Sequence, residues 1–138
     1  MKKKERVFQT IDGKLLKVAH RTSALFFELV EDTSDRRTVF SFDKETFVEL
    51  IQYIDTSAHE SWKQLTIKEA DSMGNDYDEY YSREFDNNGY LSIGKQLMSC
   101  IRPTPESLEL FKFNKAKMGT FLYDARNIVE KKMGIKQE

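Results

Sequence analysis

The sequence predicts an α+β fold built from two consecutive ββββα units, with antiparallel sheets backed by two helices. Three observations point there. First, the stretch VFSFDKETFVELIQYI (Val39–Ile54) is echoed 71 positions later by LFKFNKAKMGTFLYDA (Leu110–Ala125). Each copy reads as a strand ending in Phe-x-Phe (Phe40 and Phe42; Phe111 and Phe113), a cap residue, a lysine and a helix. Second, the helical halves carry the same apolar stripe at i, i+3, i+4 and i+7. Phe47, Leu50, Ile51 and Ile54 match Met118, Phe121, Leu122 and Ala125. Third, runs of strand length with turn signals between them precede each junction.

In chain order, residues 1–6 (MKKKER) form a basic arm of Lys2, Lys3, Lys4 and Arg6. Such an arm is either a solvated start to the first strand or a contact to a phosphate backbone or a neighbouring subunit. The first unit spans residues 7–56. VFQTI opens it, and Asp12-Gly13 is a hairpin turn because glycine adopts positive φ without steric cost. KLLKVAHRT (Lys14–Thr22) follows, with Leu16 and Val18 on one face and Lys17, Ala19 and Arg21 on the other. ALFFELVE (Ala24–Glu31) is the third strand and RRTVFSF (Arg36–Phe42) the fourth. Asp43 then caps a helix expected to end near Ile54, since its carboxylate can accept an orphan N–H of the first turn. DTSAHES (Asp55–Ser61) reads as a polar connection.

The second unit spans residues 62–133. WKQLTIKEA (Trp62–Ala70) reads as a fifth strand, DSMGNDYDE (Asp71–Glu79) as an acidic loop and YYSREF (Tyr80–Phe85) as a sixth strand. Asn87-Asn88-Gly89 signals a hairpin into YLSIGKQLM (Tyr90–Met98). Pro103 and Pro105 stiffen the next loop, because the residue before a proline avoids helical geometry. SLELFKF (Ser107–Phe113) is the eighth strand. Asn114 caps the last helix, whose stripe continues through Ile128 and Val129, and Gly134 supplies a stop.

Bulk properties bound the function. A chain of 138 residues fits a single domain, with 39% hydrophobic and 33% charged residues. The 22 basic and 23 acidic residues leave a formal charge of −1, so polyanion binding would rest on how charge is distributed. Cys100 alone cannot form an internal disulfide, and the N-terminus MKKKERVFQT lacks the apolar core of a signal peptide. A cytosolic protein is expected.

The tandem of four strands and a helix resembles the Whirly single-stranded-DNA-binding proteins. It is also similar to the PUR-repeat proteins and to the dimeric positive-cofactor transcription coactivators, which use one such unit per chain. The strand-to-helix junctions Val39–Ile54 and Leu110–Ala125 carry the likeness. It implies that single-stranded nucleic acid lies across the exposed faces of the sheets. A second order fits part of the chain. Lys14 to Phe85 can be read as an OB-fold β-barrel with Ser107–Met133 as a strand-helix extension, and bacterial, phage and plasmid single-strand-binding proteins use that fold.

Single-strand binding needs cations for the backbone and flat side chains for the bases. The strand faces opposite the expected core offer Lys14, Lys17 and Arg21, then Phe26. Further along they offer Trp62, Lys63 and Lys68; Tyr80, Tyr81 and Arg83; and Tyr90 and Lys95. Each has an ordinary counterpart reading. Aromatics favour strands for packing alone, and most surface lysines are simply solvated. Enzyme chemistry finds little support. His20 and His59 lack ligand spacing with each other or with Cys100, and no glycine-rich phosphate loop or calcium-loop pattern occurs.

The expectation is therefore an accessory protein of plasmid, phage or cellular replication, recombination or transfer. It would coat single-stranded DNA, with RNA as an alternative strand, without catalysis, cofactor or metal. Homo-oligomers are expected, since one chain presents a short track. The rival reading is a protein-interaction module, an inhibitor or adaptor with no nucleic-acid contact.

Overall fold

A computed structural model describes residues 4–30, 37–68, 90–102 and 108–134. The architecture is α+β, with two antiparallel sheets and two helices around one core. Strands β1 (Lys4–Gln9), β2 (Leu15–Arg21) and β3 (Ala24–Leu29) are followed by β4 (Arg37–Ser41) and helix α1 (Lys44–Ser61). Then come β5 (Tyr90–Gly94), β6 (Leu97–Ile101), β7 (Glu109–Phe113) and helix α2 (Lys115–Asn127), which runs on into a π-helical turn at Ile128–Lys132. Among the described residues the strands form two open sheets and close no barrel, unlike the OB-fold alternative.

The sheets are not one per unit. The first sheet has the order β1-β2-β3-β7 and the second β4-β6-β5. Each strand that leads into a helix has crossed into the sheet of the other unit. The crossing obeys the 71-residue offset of the echo. Phe27 pairs with Phe111 and Phe26 with Lys112 across β3 and β7, and their counterparts Met98–Phe40 and Leu97–Ser41 pair across β6 and β4. The helices obey it too. Asp55 on α1 takes both Nε and Nη2 of Arg126 on α2, at 2.8 and 2.9 Å, and the two residues are 71 apart. A residue that meets its own counterpart lies close to a pseudo-two-fold axis, so this axis passes between the helices.

Local chemistry explains the elements. Asp43 and Asn114 cap their helices identically, each side-chain oxygen accepting the backbone N–H three residues on, at 2.8 Å. Gly13 takes φ 90° in the β1–β2 turn, where the Thr10 hydroxyl accepts from Lys14 N at 2.8 Å. The core stripe of α1 is buried at Phe47, Leu50, Ile51 and Ile54, and that of α2 at Met118, Phe121, Leu122 and Ala125. A single cluster joins these to Leu16, Val18, Leu25, Phe27, Phe40, Met98, Phe111 and Phe113 from both sheets. No described helix is long and apolar enough to cross a membrane.

Four expectations need correction. Helix α1 does not end near Ile54 but reaches Ser61. Its last turns are polar in sequence yet bury Ser57, Ala58 and Ser61, whose small side chains permit close packing. Residues 62–68 form a turn and an irregular stretch instead of a fifth strand. Trp62 caps α1, its N–H donating to Ala58 O, and Lys68 N approaches Gly119 O at 3.4 Å. The run Tyr90–Met98 is not one strand but a hairpin, β5 and β6, joined by Lys95-Gln96 with Gln96 at φ 58°. Lys14 lies in the turn before β2, not in the strand. The expected sixth strand, Tyr80–Phe85, and the acidic loop Asp71–Glu79 fall outside the described residues.

Cys100 sits on the inner face of β6, fully buried, and burial pushes its thiol up to about 12. Its thiolate is therefore negligible at neutral pH. The folded protein should leave an aromatic disulfide reagent unreacted over minutes and consume one equivalent in denaturant. Rapid reaction of the native protein would contradict this placement.

Candidate nucleic-acid interface

The outward face of the first sheet does not provide the expected stacking platform. Lys17 is held between Glu5 (3.5 Å) and Glu28 (3.4 Å), its neighbours on β1 and β3. Burial works against its charge, but the two carboxylates outweigh that and raise its pKa. Phe26 is only 6% exposed. Its ring packs with the small side chains of Ala19 and Ala24 in a cluster of their own, with the Arg21 guanidinium 5.8 Å from the ring centre. Trp62, 7% exposed, joins the main core because the last turn of α1 directs it there. Neither ring is free to stack on a base. Arg6 lies 4.6 Å over Phe8 and meets Glu49 at 3.3 Å.

The other site residues scatter. Lys14 donates to Val39 O at 2.9 Å and pairs with Asp12 at 3.2 Å. Lys95 is exposed in the β5–β6 turn, and Lys68 is exposed after α1. Tyr90 is placed through its backbone, paired with Ile101 at the start of β5. Lys2, Lys3, Tyr80, Tyr81 and Arg83 lie outside the described residues.

The second sheet differs from the first. Thr38, Phe40, Leu91, Met98 and Cys100 point into the core. The alternate positions Arg37, Val39 and Ser41 of β4 and Leu97, Ser99 and Ile101 of β6 make the outward face, with Ser92 of β5 beside Ser99. None of the three strands contains an aspartate or glutamate. Val39 is 36% exposed and Leu97 41%. Arg37 Nε donates to Ser99 Oγ at 3.0 Å, which lays the guanidinium across the hydroxyls. The β1–β2 turn closes the free edge of β4, through Ile11 N to Ser41 O at 2.9 Å and the Lys14 bond to Val39 O. That seals a hazardous edge and sets Lys14 at the border of the face. Sequence reasoning assigned Arg37, Val39, Ser41, Leu97 and Ser99 no role. Their signal was the alternation of RTVFS and LMSCI, in which every second residue, polar or apolar, falls opposite the core.

Three of the expected cations do converge elsewhere. Lys4 from β1, Arg21 at the end of β2 and Lys63 just beyond α1 line one cleft of about 430 Å³ with His20, Glu60 and Ser61. The β2–β3 turn is tied to the helix end by Ser23 N to Ser61 O at 3.0 Å, which fixes the two sides. His20 is 5% exposed, its Nδ1 3.4 Å from Ser61 Oγ and its Nε2 3.8 Å from Glu60. Burial lowers its pKa below the usual 6.5, against the pull of Glu60 and with help from Lys4. His59, on the cleft wall, rests on Asp55 O at 2.9 Å, and Asp55 in turn holds Arg126. The wall is thus braced against α2.

Among the described residues no three His, Cys, Asp or Glu side chains gather as a metal ion would require. Comparison of the chain with protein-family models, with curated proteins and with solved structures finds no match.

Proposed function

We propose that this chain binds single-stranded nucleic acid, without catalysis, on the outward face of the second sheet. One observation carries the reading. Strands β4, β5 and β6 hold no carboxylate, while their outward face joins exposed Val39 and Leu97 to serine hydroxyls and the Arg37 guanidinium. Apolar side chains can lie against base faces, hydroxyls can donate to or accept from base edges, and Arg37 on the face and the exposed Lys95 in the β5–β6 turn offer cations to a backbone. The first sheet, with Glu5 and Glu28 beside Lys17, would repel phosphates. The likeness of the strand-helix order to the Whirly, PUR-repeat and positive-cofactor proteins supports the same ligand. A coating role in replication, recombination or transfer, homo-oligomers in which the basic arm reaches DNA or a neighbour, and a cytosolic location belong to this reading.

Fluorescence anisotropy with labelled oligo-dT at two salt concentrations tests it. The logarithm of affinity should fall with log salt at about −0.7 per phosphate neutralised. V39E/L97E should weaken binding at least about tenfold, while V39K/L97K, which disturbs the same two positions, should bind as well or better. Absence of binding at low salt would remove the proposal, as would equal binding by both variants. The rival reading, a protein-docking module, is favoured by the exposed Ile11, Val39 and Leu97. It expects both variants to lose a protein partner and neither to alter any contact with DNA.

A further inference from the structure

We propose that the cleft between β1, the end of β2 and the end of α1 is a separate site for a phosphomonoester, of the size of one mononucleotide. Four observations carry it. Cations from three separate elements, Lys4, Arg21 and Lys63, line one concavity and are opposed by a single carboxylate there, Glu60. Lys4 and Glu60 are 3.6 Å apart, and among the described residues neither Arg21 nor Lys63 forms an ion pair with a carboxylate. The floor is rigid. Ser61 and His20 are nearly buried, 3.4 Å apart, and Ser61 Oγ also reaches Ala24 O at 3.4 Å. The cleft is open to solvent, and its volume of about 430 Å³ is enough for one small molecule.

The charge decides the class of ligand. A phosphomonoester carries close to two negative charges at neutral pH, whereas an internal phosphodiester carries one, so a cluster of cations favours the monoester by Coulomb attraction. Arg21 can bind two phosphate oxygens side by side, and Lys63 supplies a point charge. The hydroxyl of Thr22, also on the cleft wall, can donate to a remaining oxygen. Free nucleotides and the 5′-phosphate end of a strand share this chemistry. No residue of the cleft belongs to the outward face of the second sheet, so the inference stands independently of the function proposed there.

Calorimetric titration of the full chain with inorganic phosphate, AMP, and short dT oligomers bearing either a 5′-phosphate or a 5′-hydroxyl tests the site. AMP is expected to bind and to be displaced by phosphate. R21A/K63A, both at exposed positions, should lose about tenfold or more in AMP affinity while its binding of long 5′-hydroxyl oligo-dT stays unchanged. E60Q removes the opposing carboxylate and releases Lys4, so it should tighten AMP about threefold or more, a gain that misfolding cannot imitate. A 5′-phosphate oligomer that outbinds its 5′-hydroxyl twin only in the presence of Arg21 and Lys63 identifies the strand end as ligand; AMP binding without that difference identifies the free nucleotide. Failure of AMP and of the 5′-phosphate oligomer to bind overturns the proposal. So does R21A/K63A binding AMP as the parent does, or E60Q weakening it. V39E/L97E should leave AMP binding intact, which separates a failure of this site from a failure of the sheet face.

Discussion

Phe113→Ala should destabilise the protein by about 3–5 kcal/mol, the usual cost of emptying a fully packed aromatic position. Phe113 is 1% exposed and is the hub of the aromatic core, with ring centres of Phe111, Phe121 and Phe27 at 4.9, 5.1 and 5.2 Å. It also ends β7, the strand that crosses into the first sheet, so the cavity would open where the two units interlock. A loss of this size is a large share of the ~5–15 kcal/mol that holds a domain together. Its counterpart Phe42 meets Phe40 and Phe47 at 6.5 and 6.4 Å, a looser contact set, so Phe42→Ala should cost less. Urea denaturation of both variants gives the comparison, read as a fall in midpoint at constant slope. A Phe113→Ala midpoint within experimental error of the parent would contradict the packing described.

Gly119→Ala should destabilise as well, by about 1–3 kcal/mol, the range for overpacking a filled site. Helix propensity alone gives the opposite sign, since alanine inside a helix is favoured over glycine by about 1 kcal/mol. The difference comes from the stretch after α1. A Cβ on Gly119 would be driven onto the carbonyl oxygen of Thr66, far inside van der Waals contact, and that atom is backbone and cannot rotate away. The Lys68 N–H approaches the Gly119 carbonyl from the same stretch, so the substitution would lift residues 65–68 off α2. Thermal unfolding followed by circular dichroism reads the sign directly. A raised midpoint would show that the stretch does not lie against the helix.

The helix starts were legible because capping is local. Asp43 and Asn114 each bond to an N–H three residues on, and a side chain that near in sequence is near in space whatever the rest of the chain does. The Asp12-Gly13 turn was legible for the same reason. The Lys95-Gln96 turn was not, since neither residue belongs to the types that mark positive φ. The end of α1 was hidden by its composition. Ser57 and Ser61 look like loop residues, yet a small side chain on a buried position serves close packing as well as an apolar one.

The candidate site was harder to see because a binding face is defined by its neighbours across the sheet. Lys17 looks like a free cation until register sets Glu5 and Glu28 on either side of it. Phe26 looks like a stacking ring until Ala19 and Ala24 offer it a place to lie down. Lys4, Arg21 and Lys63 are spread over nearly half the chain and become one cleft only when the end of α1 is bonded to the β2–β3 turn.

By itself the sequence determined the α+β class, both helix caps, the apolar stripes and the 71-residue echo, because each rests on residues a few positions apart or on a repeat of such local patterns. Only the tertiary structure decided that the two units exchange their last strands, so that Met98–Phe40 and Phe27–Phe111 pair in matching register. Strand partners are selected by how a whole apolar surface is buried. That selection involves residues far apart along the chain, and no short stretch of sequence records it.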